Sequence, residues 1–225
     1  EGYFKIHAAA GNYNTLIGCA VTVLAAPADT EVVLLEMGAN HRGEIAEMTR
    51  YLPPTIAAVT EVAPAHLENF GSLEGVLQAK TEIFASENLR CAVINGDNGM
   101  LCKRAEELRL PEVIRFGRRG EVLFAREHLS WEKDHFTVRA ILTGLDGLSF
   151  NLSLPLAGVH QLYPLCCAVA IAGRLGLSSR EIAASLPKCR NSAGRGEIRL
   201  SESGAAILDE CYNASPAAVK ASLAA

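Results

Sequence analysis

The chain has 225 residues, 49% of them hydrophobic and 20% charged, with a net charge of −4 at pH 7. That length suits one large domain, or one domain with part of another. The acidic balance offers no basic field for nucleic acid or an anionic membrane, no run of about 18 apolar residues is present to span one, and the opening Glu1-Gly2-Tyr3-Phe4-Lys5 lacks the form of a signal peptide.

The apolar run from Glu31 to Met37 predicts a strand buried on both faces. Residues 43–51 carry a helical pattern, 55–60 a second buried strand, 72–85 a helix and 91–95 a third strand. Strands alternating with helices in this way predict an α/β fold, a mostly parallel sheet with helices on both faces. From Glu121 to Leu156 short alternating runs flank a turn at Gly144-Leu145-Asp146-Gly147, which predicts a small antiparallel side sheet. Helices are expected over 161–175 and 178–186, then a hairpin of 196–200 and 205–209 turning at 201–204. Ser215 suits the N-cap, and Pro216 the first position, of a last helix that still runs at Ala225. A chain that opens in a strand-like segment and stops inside a helix is expected to be a fragment.

Seven cysteines occur, none in a C-x-x-C pair, and most sit in apolar runs such as Cys91-Ala92-Val93-Ile94. They read as buried, reduced thiols of a cytosolic protein.

Five residues have a chemistry worth naming. Glu36 closes an apolar strand, and ligands of open parallel sheets bind at the carboxyl ends of strands. A carboxylate there either holds magnesium beside phosphates or is simply solvated. His66, in the loop Ala63-Pro64-Ala65-His66-Leu67-Glu68-Asn69, is either a metal-binding imidazole or a surface residue. Lys80 continues the helical stripe of Leu73, Val76, Leu77, Ile83 and Phe84. A lysine on such a stripe snorkels out or is kept for a purpose, and burial favours its neutral amine, which can add carbon dioxide to become a carbamate. Arg195, between Gly194 and Gly196, suits a phosphate or lies in solvent. Asp209, at a strand end, can accept ribose hydroxyls or serve a turn. No G-x-x-x-x-G-K-[ST] loop is present.

Taken together and in order, these positions resemble one family. The matching stretches are Gly11 to Gly18, Glu36-Met37-Gly38-Ala39-Asn40, Ala65 to Leu73, Ala79-Lys80-Thr81-Glu82-Ile83-Phe84, Asn95-Gly96-Asp97-Asn98, Gly194-Arg195 and Asp209 to Pro216. The chain resembles the Mur ligases, ATP-dependent amide ligases of peptidoglycan synthesis, over nearly its whole length. The resemblance implies a P-loop NTPase-like middle domain over 1–208, without its phosphate loop, and the start of a C-terminal ligase domain at 209–225. It implies a cytoplasmic monomer that uses ATP and Mg2+. Its substrates would be UDP-N-acetylmuramoyl-tripeptide and D-alanyl-D-alanine, joined through an acyl phosphate. Glu36, His66 and carbamylated Lys80 would hold magnesium and carry the catalytic roles. Arg195 would touch phosphates, Asp209 the ribose, and Asn95 would line the nucleotide site.

One motif departs from the pattern. The family reads glycine-x-histidine-asparagine-x-x-asparagine where this chain has Gly158-Val159-His160-Gln161-Leu162-Tyr163-Pro164. His160 and Gln161 are expected at the base, whereas Pro164 has no group to offer it. The near alternatives are a cyanophycin or folylpolyglutamate synthetase type. From another class, the chain could be a non-catalytic module that keeps the fold. The chain by itself is expected to be inactive.

Overall fold

The computed structural model describes every residue except 1, 65, 66, 133, 190, 192, 193, 204, 213–215, 224 and 225. In chain order the elements begin with β1 (Ile6–Ala8), α1 (Leu16–Leu24), β2 (Val32–Leu34), α2 (Glu44–Tyr51), β3 (Ile56–Val59), α3 (Leu67–Phe70) and α4 (Leu73–Thr81). Next come β4 (Cys91–Asn95), α5 (Gly99–Glu107), β5 (Val113–Gly117), β6 (Val122–Glu132), β7 (His135–Thr143) and β8 (Ser149–Leu154). The last are α6 (Leu162–Arg174), α7 (Ser179–Ser185), β9 (Glu197–Leu200), β10 (Ala206–Asp209) and α8 (Pro216–Leu223).

Strands β3 to β8 form one sheet in chain order. Backbone bonds from Ala92 N to Glu112 O and from Gly96 N to Phe116 O advance together, so β4 and β5 run parallel. The parallel pairing of β5 with β6 then joins the antiparallel β6-β7-β8 ribbon to the sheet. Two further pairs stand apart: parallel β1-β2 and antiparallel β9-β10, the predicted hairpin. The fold is the mixed α/β arrangement expected, and among the described residues no helix is long and apolar enough to cross a membrane.

The chain forms two compact units, residues 1–92 with 104–112, and 93–103 with 113–225. In the first, Cys19, Ile45 and Met48 make a buried cluster to which Leu16, Leu35 and Met37 add partly buried side chains. In the second, Phe116, Phe124, Val138, Leu142 and Leu162 are fully buried. One expectation is corrected. The run from Glu31 to Met37 is not a strand buried on both faces: β2 holds only Val32–Leu34, and Val33 and Leu34 are 40% and 55% exposed. Burial of a strand needs elements on both its faces, and β2 pairs with β1 alone among the described residues.

Helix starts follow local signals in three cases. Thr15 accepts the Gly18 N–H, Ser72 accepts that of Gly75, and Ser178 forms a capping box with Glu181. Helix α2 has no such signal, since its N-cap is Gly43 with φ +88. Its caps come instead from Glu82, just past α4, whose two oxygens accept Gly43 N at 2.8 Å and Ala46 N at 3.0 Å. Removing a cap of this kind costs about 0.5–2 kcal/mol. Glu82→Ala should therefore lower the unfolding free energy by that amount and the urea midpoint in proportion, with Glu82→Gln intermediate because an amide offers one acceptor oxygen instead of two. An unchanged midpoint in both variants would show that α2 starts without Glu82.

Candidate functional site

In the first unit the loop after β2 is built around Asn14. The flanking Leu35 and Met37 pack on the Cys19, Ile45 and Met48 cluster, while Cys19 Sγ donates to the Glu36 carbonyl at 3.3 Å. The Glu36 carboxylate, exposed, accepts Asn14 Nδ2 at 3.3 Å, and Gly38 N donates to the Asn14 carbonyl at 2.8 Å. A Cβ on Gly38 would come within 2.9 Å of the Asn14 amide, so a side chain there would push that amide away from its place beside Glu36. Two stretches that the sequence marks separately, Gly11 to Gly18 and Glu36 to Asn40, thus meet here.

Lys80 lies between buried Ala79 and Thr81 on α4 and is itself half-buried. Its Nζ donates to the Glu61 carbonyl at 3.1 Å. Burial pulls its proton affinity below the ordinary lysine value, with the Glu61 charge opposing that shift. The amine is therefore biased toward the neutral form that the apolar stripe predicts. His66 lies outside the described residues. Among the described residues no group of three or more His, Cys, Asp or Glu side chains gathers as a metal cage.

In the second unit Asn95 ends β4, 3% exposed, and its Oδ1 accepts Asp97 N at 3.0 Å. Asp97 in turn accepts Tyr163 OH at 2.9 Å and Arg118 N at 2.8 Å on the same oxygen. These bonds tie the first turn of α6 to the turn after β4. Gly117, with φ +131, leaves room for that carboxylate, because a Cβ there would sit 2.8 Å from Asp97 Oδ2. Tyr163 also meets Phe124 edge-on, with ring centroids 5.1 Å apart.

His160 sits in a 3-10 turn over Val159–Gln161, just before α6. Burial lowers its proton affinity and the nearby Glu210 charge works the other way. Gln161 Nε2 reaches the Arg195 carbonyl at 3.3 Å, so two predicted site residues do come together. The Arg195 guanidinium lies over the Tyr212 ring at 4.1 Å.

The two neighbouring carboxylates of the last strand end have different surroundings. Asp209 accepts Cys211 N at 3.1 Å and pairs with Arg199 at 3.2 Å, and bonds to Cys211 followed by Arg199 lower its proton affinity. Glu210 Oε1 is buried with no hydrogen-bond partner among the described residues. The reading of the residues singled out Asp209 and passed over Glu210, Tyr163 and Tyr212. An acidic pair at the end of a strand is the signal that could have found Glu210, because successive side chains point to opposite faces.

All seven cysteines are free, and Cys166 and Cys167 are pushed up to about 12 by burial. Neither supplies a thiolate at neutral pH.

This arrangement has known counterparts. Residues 2–172 match the Mur ligase middle domain. The chain is 29% identical to the UDP-N-acetylmuramoyl-tripeptide–D-alanyl-D-alanine ligase of Bacillus subtilis (strain 168), over 98% of this chain and 46% of that enzyme. It is 33% identical to the enzyme of the same name in Escherichia coli (strain K12), over 95% of this chain and 47% of that one. Among solved structures, the MurF ligase of Thermotoga maritima in complex with ADP superimposes with a TM-score of 0.87 at 27% identity, over 99% of this chain and 51% of that one. The chain spans about half the length of the curated relatives it matches. With the middle-domain model matching from Gly2 into α6, and the fold shared along nearly its whole length, this chain belongs to the Mur ligase family.

Proposed function

We propose that the protein carrying this chain is a cytoplasmic, monomeric ATP-dependent ligase that joins D-alanyl-D-alanine to UDP-N-acetylmuramoyl-tripeptide. In this reading 1–208 belong to the ATP-binding domain and 209–225 open the C-terminal ligase domain. The observation that carries it is Lys80: a half-buried amine of lowered proton affinity on the stripe where the family places a modified lysine. Relatives named for this reaction along 95–98% of the chain support the substrates, and the Thermotoga maritima relative with ADP supports the nucleotide.

The terminal phosphoryl of ATP passes to the substrate carboxylate, giving an acyl phosphate and ADP. The amine of D-alanyl-D-alanine then forms the C–N bond, phosphate leaves with the C–O electrons, and the nitrogen loses a proton. Magnesium, when bound, neutralises charge on the transferred phosphoryl oxygens. Its demand for few carboxylates and several waters fits the exposed Glu36. Glu36 would hold one magnesium ion, and His66 with a carbamate on Lys80 would hold a second. On the nucleotide side Arg195 carries the positive charge for phosphate, Asn95 lines the site and His160 stands nearest the base. Asp209 would accept the ribose hydroxyls, in competition with the Arg199 and Cys211 N contacts it already makes.

The test is formation of the UDP-N-acetylmuramoyl-pentapeptide by the full gene product, followed by mass spectrometry with ATP, magnesium and both substrates. No product, with the tripeptide acceptor recovered unchanged, would sink the reading. The 225-residue chain by itself is expected to release no phosphate from ATP above a buffer blank. A triphosphate rests on backbone N–H groups and the lysine of a glycine-rich loop, and this sequence contains no such loop. Without a positioned carboxylate, about 7–11 kcal/mol of barrier lowering is also lost. Phosphate release by the chain at the rate of the full gene product would place the phosphate site elsewhere.

A further inference from the structure

Gln161 stands where the family pattern puts a base contact, yet both ends of its amide are engaged elsewhere. Oε1 accepts the Ala157 N–H at 2.7 Å, and Nε2 donates to the Arg195 carbonyl at 3.3 Å. The fit is close, for a Cβ on Gly196 would lie 2.7 Å from Nε2 and 2.8 Å from the Ala157 Cβ. Gly196 also holds φ +80, so the residue after Arg195 is glycine for both space and backbone conformation. The arginine loop is held at other points too. Asn191 Nδ2 donates to the Gly196 carbonyl at 2.8 Å, and Gly196 N donates to the Asp209 carbonyl at 3.0 Å. Tyr212 N donates to the Gly194 carbonyl at 3.2 Å, while its ring lies under the guanidinium at 4.1 Å. Of these links, only that of Gln161 joins the loop to the turn that opens α6. An asparagine is one methylene shorter than the side chain that spans from Ala157 N to the Arg195 carbonyl.

We propose that Gln161 is a positioning residue for Arg195. It sets the arginine loop against the start of α6, so that the guanidinium is in place before a phosphate arrives, and it does not read the base. The proposal rests on the reading of Arg195 as a phosphate contact. Preorganisation of this kind acts by removing the ordering cost that binding would otherwise carry.

The experiment is equilibrium titration of the full gene product with ATP, inorganic tripolyphosphate and adenosine. Gln161→Ala and Gln161→Asn should each weaken ATP and tripolyphosphate about tenfold and leave adenosine unchanged, because only phosphate binding uses the ordered arginine. Gln161→Met keeps the length and adds no charge but loses both bonds, so it should show the same split even if the alanine variant folds poorly. The double variant Gln161→Ala/Arg195→Ala should bind ATP no worse than Arg195→Ala, since the first residue acts through the second. Equal losses for adenosine and ATP would overturn the proposal and return Gln161 to the base. Additive losses in the double variant would also overturn it. Wild-type protein that binds none of the three would instead remove the nucleotide-site reading, an outcome distinct from either.

Discussion

Lys80→Ala, made in the full gene product, is expected to abolish ligation while leaving the domain folded. Lys80 is half-buried on α4 beside buried neighbours, and its Nζ bonds to the Glu61 carbonyl, so truncation opens little of the core. If its amine carries a carbamate, truncation removes an anion that helps place positive charge against the transferred phosphoryl group. Loss of one preorganised electrostatic group at a reaction centre costs on the order of 10²–10³ in rate, and loss of a metal ligand adds to that. A short carboxylic acid added to the assay should restore part of the rate by entering the vacated anion site. Ligation at the wild-type rate in the alanine variant, without additive, would end this assignment.

The same residue fixes the sign of a pH effect. Burial lowers the folded-state proton affinity of Lys80, so over a window ending near the ordinary lysine value the unfolded chain binds a proton that the folded chain has lost. Stability contributed at this position therefore rises with pH toward the upper end of that window, and protonation opposes folding below it. In carbonate-free buffer, Lys80→Met should be more stable than wild type at neutral pH, with the gap narrowing as pH rises. Denaturation curves for the two proteins that run parallel from neutral to alkaline pH would show that the lysine is not desolvated.

Phe116→Ala is expected to be the most costly single change to the fold. Phe116 is fully buried in β5, the strand against which α6 packs. Emptying such a site costs about 3–5 kcal/mol, from lost transfer energy and the cavity left behind. Domains of this size have about 5–15 kcal/mol in all, so roughly a fifth or more of the stability goes. Urea denaturation should show a lower midpoint at an unchanged slope. A loss below about 1 kcal/mol would mean that the site collapses around the missing ring.

Much of this molecule is written in short stretches of sequence. The 3–4 spacing that puts Lys80 on the stripe of Val76 and Leu77 is a property of one helix, and so are the caps at Thr15, Ser72 and Ser178. The alternation over residues 122–154 marks the antiparallel ribbon for the same reason, because a strand repeats every two residues whatever lies around it. The order of Glu36, Lys80, Asn95, Arg195 and Asp209 also sufficed for the family, since a fold's motifs keep their order along the chain.

What the tertiary structure decided are relations between residues far apart. Whether the apolar run around β2 is buried depends on what covers it, and Val33 and Leu34 are exposed. The cap of α2 comes from a glutamate 39 residues beyond Gly43, which no local pattern encodes. Gln161 reads as a base contact from its motif, and one of its two amide N–H donors is bonded to a carbonyl 34 residues along the chain. Asp209 and Glu210 are chemically alike in sequence, yet the hairpin turns one toward Arg199 and leaves the other with a buried oxygen. Local sequence sets the conformation of a segment through steric and hydrogen-bonding preferences of a few neighbouring residues. Which polar atom remains available for a ligand is settled only when distant segments pack and compete for the same hydrogen bonds.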